Sequence, residues 1–110
     1  MSLDTLARAC ISLARSALRG APDPFHDAER MATAAENALT RGDVLEAIDN
    51  ARHSVSLSRG DMSPAWRLCS EAYMTARASI EAQEQLDALH TLPERKARYA
   101  DRINAARAAR

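Results

Sequence analysis

The stretch Arg41-Gly42-Asp43-Val44-Leu45-Glu46-Ala47-Ile48 decides the fold. Gly42 ends a helix readily, because a left-handed backbone carries no Cβ penalty in glycine. Asp43 then offers an oxygen to the free N–H groups of a new helix. Glu46 stands three residues on, the capping-box spacing. Before the break, Ala28, Met31, Ala32, Ala35, Ala38 and Leu39 recur at intervals of three and four. After it, Val44, Leu45, Ile48, Ala51 and Val55 do so too. Both patterns have the period of one helix face. A connection this short makes the two helices antiparallel neighbours.

The same reading extends outward. An earlier helix runs from about Leu3 to Arg19, with Leu3, Leu6, Ala7, Cys10, Leu13, Ala14, Ala17 and Leu18 on its apolar face. Gly20 is its left-handed stop, and Ala21-Pro22-Asp23-Pro24 is a turn. Asp23 is read as the cap of the next helix, with Pro24 in its first turn. Downstream, Arg59-Gly60-Asp61 breaks the chain and Ser63-Pro64 starts a fourth helix. That helix reads to about Leu89 on a stripe of Trp66, Cys69, Ala72, Tyr73, Ala76 and Ile80. The stripe weakens at Gln83, where an apolar residue is due. The remainder, with Leu86 and Leu89, is expected in solvent or against another chain. Thr91-Leu92-Pro93-Glu94 has capping-box spacing and predicts a fifth helix, with Tyr99, Ala100, Ile103 and Ala106 as a narrow stripe. No segment alternates apolar and polar residues as a strand does. The expected fold is all-α, one domain over residues 1–110, built as antiparallel helical hairpins or a small bundle of about five helices.

Composition supports this and limits function. Alanine is the commonest residue and there are three glycines and four aromatic residues. Alanine lets helices approach closely but buries little area per residue, so modest monomer stability or a dimer is expected. The formal net charge is zero, which gives no whole-chain field toward nucleic acid or an anionic membrane. Arg95, Lys96, Arg98, Arg102, Arg107 and Arg110 nonetheless outnumber Glu94 and Asp101 at the C-terminal end. Lys96 is the one lysine, a preference that reflects genome composition. Cys10 and Cys69 form no CxxC motif and the first apolar stretch carries Arg8 and Arg15, so a cytoplasmic chain with buried free thiols is expected. No apolar run reaches the ~18 residues of a membrane span.

The second and third helices together span about 34 residues, the length of a helical repeat. The run Gly42-Asp43-Val44-Leu45-Glu46-Ala47-Ile48 resembles the inter-helix turn of a tetratricopeptide repeat. Trp66, Tyr73 and Ala82 resemble positions of a second repeat, with Pro93 close to its closing proline. The resemblance covers about residues 28–93. It departs from the family at Met31, Ala34 and Ala35, and at Cys69 and Ser70, where tryptophan or leucine and glycine are usual; Arg77 occupies the expected second turn. It implies a helical array whose concave groove accepts a peptide or partner helix.

Candidate chemistry is thin. Asp49 and His53, or Asp87 and His90, are spaced to orient an imidazole on one helix face, and the plain alternative is an exposed ion pair. Arg19 and His26 match the spacing of HEPN-type helical ribonucleases, across an interval holding Gly20, Pro22 and Pro24. No Glu-x-x-His pair offers di-iron ligands, and Cys69, His53 and His90 lack metal-ligand spacing. No catalytic, cofactor or metal site is expected. The first expectation is a non-enzymatic interaction module, an adaptor, small chaperone or regulator. It would use Arg41, Arg52, Trp66, Arg67, Tyr73 and Arg77 toward another protein, a peptide or a second copy. The second is a nucleic-acid-associated protein using Arg95, Lys96, Arg98 and Arg102 on phosphates, and a small helical enzyme is a third.

Overall fold

The computed structural model describes the backbone of residues 2–24 and 26–108, and the side chains of residues 2–24 and 26–90. It holds four helices, α1 (Leu3–Leu18), α2 (Asp27–Thr40), α3 (Val44–Arg59) and α4 (Pro64–Ala108), and among the described residues no strand. The chain divides into two compact units, Met1–Arg77 and Ala78–Arg110.

In the first unit α3 is the central helix. It packs against both α2 and α1, which touch each other less. Ala35 and Ala38 from α2, Ala47, Ile48, Ala51 and Val55 from α3, and Ala7, Cys10, Ile11, Ala14 and Ala17 from α1 form one core. The first part of α4 closes it with Cys69, Ala72 and Ala76. Alanines make the seams and the leucines sit around them: Leu3, Leu6, Leu13, Leu39 and Leu45 are half-buried against this core. Small seam residues bring helix axes toward the lower end of the usual ~8–10 Å separation. The expected stripes agree with this burial, and the structure adds Ile11, 8% exposed, and the fully buried Ala47 and Ser54, which they leave out.

The decisive turn forms as its residues require. Gly42 has φ +82°; its N–H donates to the Leu39 carbonyl at 3.0 Å, and that of Asp43 to the Ala38 carbonyl at 2.9 Å. These two bonds are a Schellman motif, which satisfies carbonyls that α2 leaves unpaired. The Asp43 carboxylate accepts from the Glu46 N–H at 3.1 Å. Glu46 does not return the favour. Its carboxylate takes the Arg41 guanidinium at 2.8 Å, so only half of the capping box forms. Ser63 caps α4 as expected, accepting from the Trp66 N–H at 3.3 Å.

Two boundaries differ from expectation. α2 begins at Asp27, not at Pro24, because His26 adopts a left-handed conformation (φ 57°) and delays the helix. Asp23 still serves it from outside, accepting from the N–H groups of Ala28 at 3.4 Å and Glu29 at 3.2 Å. The fifth helix is not separate: the backbone is helical through Pro93 and α4 ends at Ala108. An interior proline removes one backbone hydrogen bond, at about 3 kcal/mol. Here strong helix formers on both sides carry the helix through it. The Thr91 and Glu94 side chains lie outside those described.

Two long-range contacts fasten the unit. Ser54, fully buried on α3, donates its hydroxyl to the Ala28 carbonyl of α2 at 2.6 Å. Arg59, at the end of α3, donates to the carbonyls of Ala17 and Arg19, each at 3.0 Å. That places a cation on the negative C-terminal end of α1. On the surface Arg15 pairs with Glu36 at 2.8 Å and also donates to Thr33. The hydrogen bond from Arg15 holds the Glu36 carboxyl below its ordinary range, against a weaker opposing effect of burial. A carboxyl lowered in the folded state stabilises above its unfolded pKa, and that contribution disappears as pH falls through the folded value. Between pH 5 and pH 3 the thermal midpoint of the wild type should therefore fall further than that of Glu36→Gln. The gap should be no more than ~0.5 kcal/mol, since the pair is largely solvated. Parallel pH curves would remove the pair from the stability account.

Candidate partner-binding surface

The large apolar side chains that face solvent are not spread evenly. Among the described residues they are Leu57 (47% exposed) at the end of α3, Met62 (59%) in the following loop, Leu68 (53%) and Met74 (70%) on α4 within the first unit, and Leu86 and Leu89 in the second. Neither α1 nor α2 contributes one. The helical period explains Leu68 and Met74. Cys69, Ala72 and Ala76 turn one side of α4 inward, which leaves positions 68 and 74 on outward-facing flanks. Met62 sits at φ 70°, in the left-handed region, on the turn that reverses the chain into α4. Sequence reasoning had not marked these four, because a lone exposed leucine or methionine carries no signal until the buried face is known.

The residues expected to bind a partner fall into different settings. Arg52 and Tyr73 come together: the guanidinium lies 4.8 Å from the ring centroid, a cation–π contact from α3 to α4. Arg52 also donates to Asp49 one turn back, so Asp49 answers an arginine on the helix face it shares with His53. Trp66 and Tyr73 are half-buried against the core. Arg41 is exposed and engaged with Glu46. Arg67 and Arg77 are exposed on α4. The side chains of Arg95, Lys96, Arg98 and Arg102 lie outside those described.

The other chemical candidates are dispersed. His26, His53 and His90 are all exposed. His26 approaches Glu29 at 3.4 Å, and Arg19 offers its backbone carbonyl to Arg59. Asp87 accepts from Gln83 at 3.0 Å. No three His, Cys, Asp or Glu side chains among the described residues gather where a metal ion would sit. An open groove of about 400 Å³ between α1 and α2 is lined by Arg8, Ile11, Ser12, Glu36, Leu39 and Thr40.

The two cysteines are free and buried, and both belong to the core cluster. Cys10 of α1 and Cys69 of α4 influence each other's ionisation inside the core. Hydrogen bonding with Cys69 lowers the pKa of Cys10, against the upward pull of burial. Cys69 moves the other way. Donation of its hydrogen to Cys10, burial and the developing charge on Cys10 all raise it, and Arg52 offsets this in part.

Together these features define an all-α helical bundle whose exposed large apolar side chains, among the described residues, all lie beyond the middle of α3 along the chain. No family model, curated protein or solved structure matches the chain. No helix among the described residues is long and apolar enough to cross a membrane.

Proposed function

We propose that the chain is a non-enzymatic protein-interaction module that receives its partner on the surface formed by the end of α3, the following loop and the part of α4 within the first unit. The observation that carries this reading is the segregation of Leu57, Met62, Leu68 and Met74 onto that part of the first unit. Exposed apolar side chains grouped in one region mark interaction sites more often than chance scatter does. Methionine and leucine also suit a surface that must adapt to a helix or an extended peptide. The tetratricopeptide-like reading of the α2–α3 hairpin belongs to this proposal, supported by Gly42 at positive φ and by the fully buried Ala47 behind it. A cytoplasmic setting and self-association belong to it as well.

The test compares tagged wild type with Leu68→Asp/Met74→Asp in native lysate, washed at low and then high salt. Both side chains are exposed, so the variant should keep the helical content and melting temperature of the wild type. Loss of each anchor should cost about 2 kcal/mol of binding, or roughly 30-fold in Kd. Protein retained at high salt by the wild type and absent from the variant supports the reading. A doubled mass by light scattering that reverts in the variant would make the partner a second copy. Nucleic acid alone, released by salt and lost when Arg95, Arg98 and Arg102 become alanine, would transfer the function to the basic end.

A further inference from the structure

We propose that the second unit pairs with that of a second copy of the chain as an antiparallel coiled coil, centred between His90 and Thr91. The unit begins at Ala78 and consists of the part of α4 that runs to Ala108. It spans about 46 Å and contains, among the described residues, no second element on which to bury an apolar side. Leu86 and Leu89 are 51% and 63% exposed, and Ala78, Ala82 and Gln85 are exposed as well. A helix gains most of its stability from packing an apolar face, which this one cannot do within its own unit. Its sequence carries the seam of a coiled coil. Positions 78, 82, 85, 89, 92, 96, 99, 103 and 106 alternate steps of four and three, the heptad spacing, and only Gln85 and Lys96 among them are polar.

Charge sets the orientation. Glu81, Glu84 and Asp87 make the first half of the unit acidic, while beyond Pro93 six cations stand against two anions. Parallel pairing would set each half against its like, and Lys96 against Lys96. Antiparallel pairing sets each half against its opposite. The seam then fixes the register. About an axis between residues 90 and 91, Leu89 of one copy lies level with Leu92 of the other, giving two central leucine layers. Gln85 lies level with Lys96, so the two polar positions of the seam share a layer. Ala82 lies level with Tyr99 and Ala78 with Ile103, small against large, as close packing at an even helix separation requires. A slip of one heptad would set Gln85 against Leu89 or Ile103, without a polar partner. Beside the seam, Glu81 and Arg102 hold equivalent flanking positions, so the acid of each copy borders the arginine of the other at both ends. On the opposite flank Leu86 borders Pro93, which accounts for the second exposed leucine. This pairing involves the second unit alone and holds whether or not the first unit takes a partner.

The test measures the mass of the full-length chain by light scattering over a concentration series. The expected mass is twice that of the chain at tens of micromolar, reverting to that of a monomer in Leu89→Asp while the first unit melts as in the wild type. Leu68→Asp/Met74→Asp should keep the doubled mass, which separates this pairing from partner binding by the first unit. Exchange of charge reads the orientation. Glu81→Arg should weaken the dimer about tenfold, and Glu81→Arg/Arg102→Glu should restore it, because only antiparallel copies bring the exchanged charges together. Likewise a chain carrying Ala82→Cys should cross-link to one carrying Tyr99→Cys, and neither to its own kind. The proposal is overturned if the wild type is a monomer at these concentrations, if Leu89→Asp keeps the doubled mass, if the charge exchange fails to rescue, or if Ala82→Cys links to itself. A monomer that captures a different protein, and loses it in Leu89→Asp, would assign the seam to that protein and overturn the self-pairing.

Discussion

Ile48→Ala should lower the thermal midpoint of the first unit's unfolding by about 12–30 °C. Ile48 is the largest side chain in the molecule to be wholly shielded from solvent among the described residues. It lies on α3, the helix that both α1 and α2 pack against. Removing its branched end deletes three carbons and leaves a void where helices meet. Such deletions cost about 2–5 kcal/mol, the upper part of the range applying where surroundings cannot collapse inward. Collapse is restricted here because the neighbouring seam residues are alanines, with no long side chains to swing into the gap. We therefore expect about 3–4 kcal/mol. At about 4–8 °C per kcal/mol for a domain of this size, the midpoint shift follows. Ile48→Val, which removes one methyl group, should lose only about 1 kcal/mol. Circular dichroism melts of the three proteins decide it. A loss below ~5 °C in the alanine variant would mean that the core is loosely packed around α3.

What the sequence revealed divides by the range of the forces involved. The seams were legible because burial of Ala28, Ala32, Ala35 and Ala38 repeats with the helical period, and periodicity is local information. The turn at Gly42 and the caps at Asp43 and Ser63 were legible for the same reason: donor and acceptor lie within five residues of each other. Contacts between distant residues were not. Nothing in the neighbourhood of Ser54 says that its hydroxyl will meet the Ala28 carbonyl, or that Arg59 will reach the end of α1. Cys10 and Cys69 were each readable as buried, and that one core takes in both depends on how α1 and α4 pack. Trp66 and Tyr73 were considered both as anchors for a partner and as packing residues, and both lie half-buried against the core. Pro93 misled because a proline rule describes a cost, and the helix formers around it outweigh that cost. The apolar surface from Leu57 to Met74 emerged only after the inward face of α4 had been fixed.

Ala35→Leu should destabilise the fold by about 2–3 kcal/mol, although it adds apolar volume to an apolar core. Ala35 has no exposed surface and sits in the middle of the α2 seam, between Ala32 and Ala38, which are equally buried. Their small side chains set the separation of α2 from its neighbours. Leucine brings three further carbons to a place with room for a methyl group. Either α2 moves away, uncovering Ile48 and Val55, or the new side chain leaves its preferred rotamer. Backbone preference cannot supply the loss, because leucine is nearly as good a helix former as alanine. Ala34→Leu provides the control. It makes the same chemical change one residue away, where the side chain is half-buried beside an open groove lined by Thr33, Asn37 and His26. The two variants share composition and helix and differ only in which face receives the carbons. Ala34→Leu should stay within about 0.5 kcal/mol of wild type in urea unfolding, with the slope of the transition unchanged in both. Equal midpoints for the two variants would show that α2 tolerates bulk on either face. The alanine seam would then be a consequence of composition, and the close approach of α2 to α3 would need another cause. A loss confined to Ala35→Leu would place the specificity of the hairpin in the size of its seam residues. The hairpin then depends on what those alanines leave out as much as on what they bury.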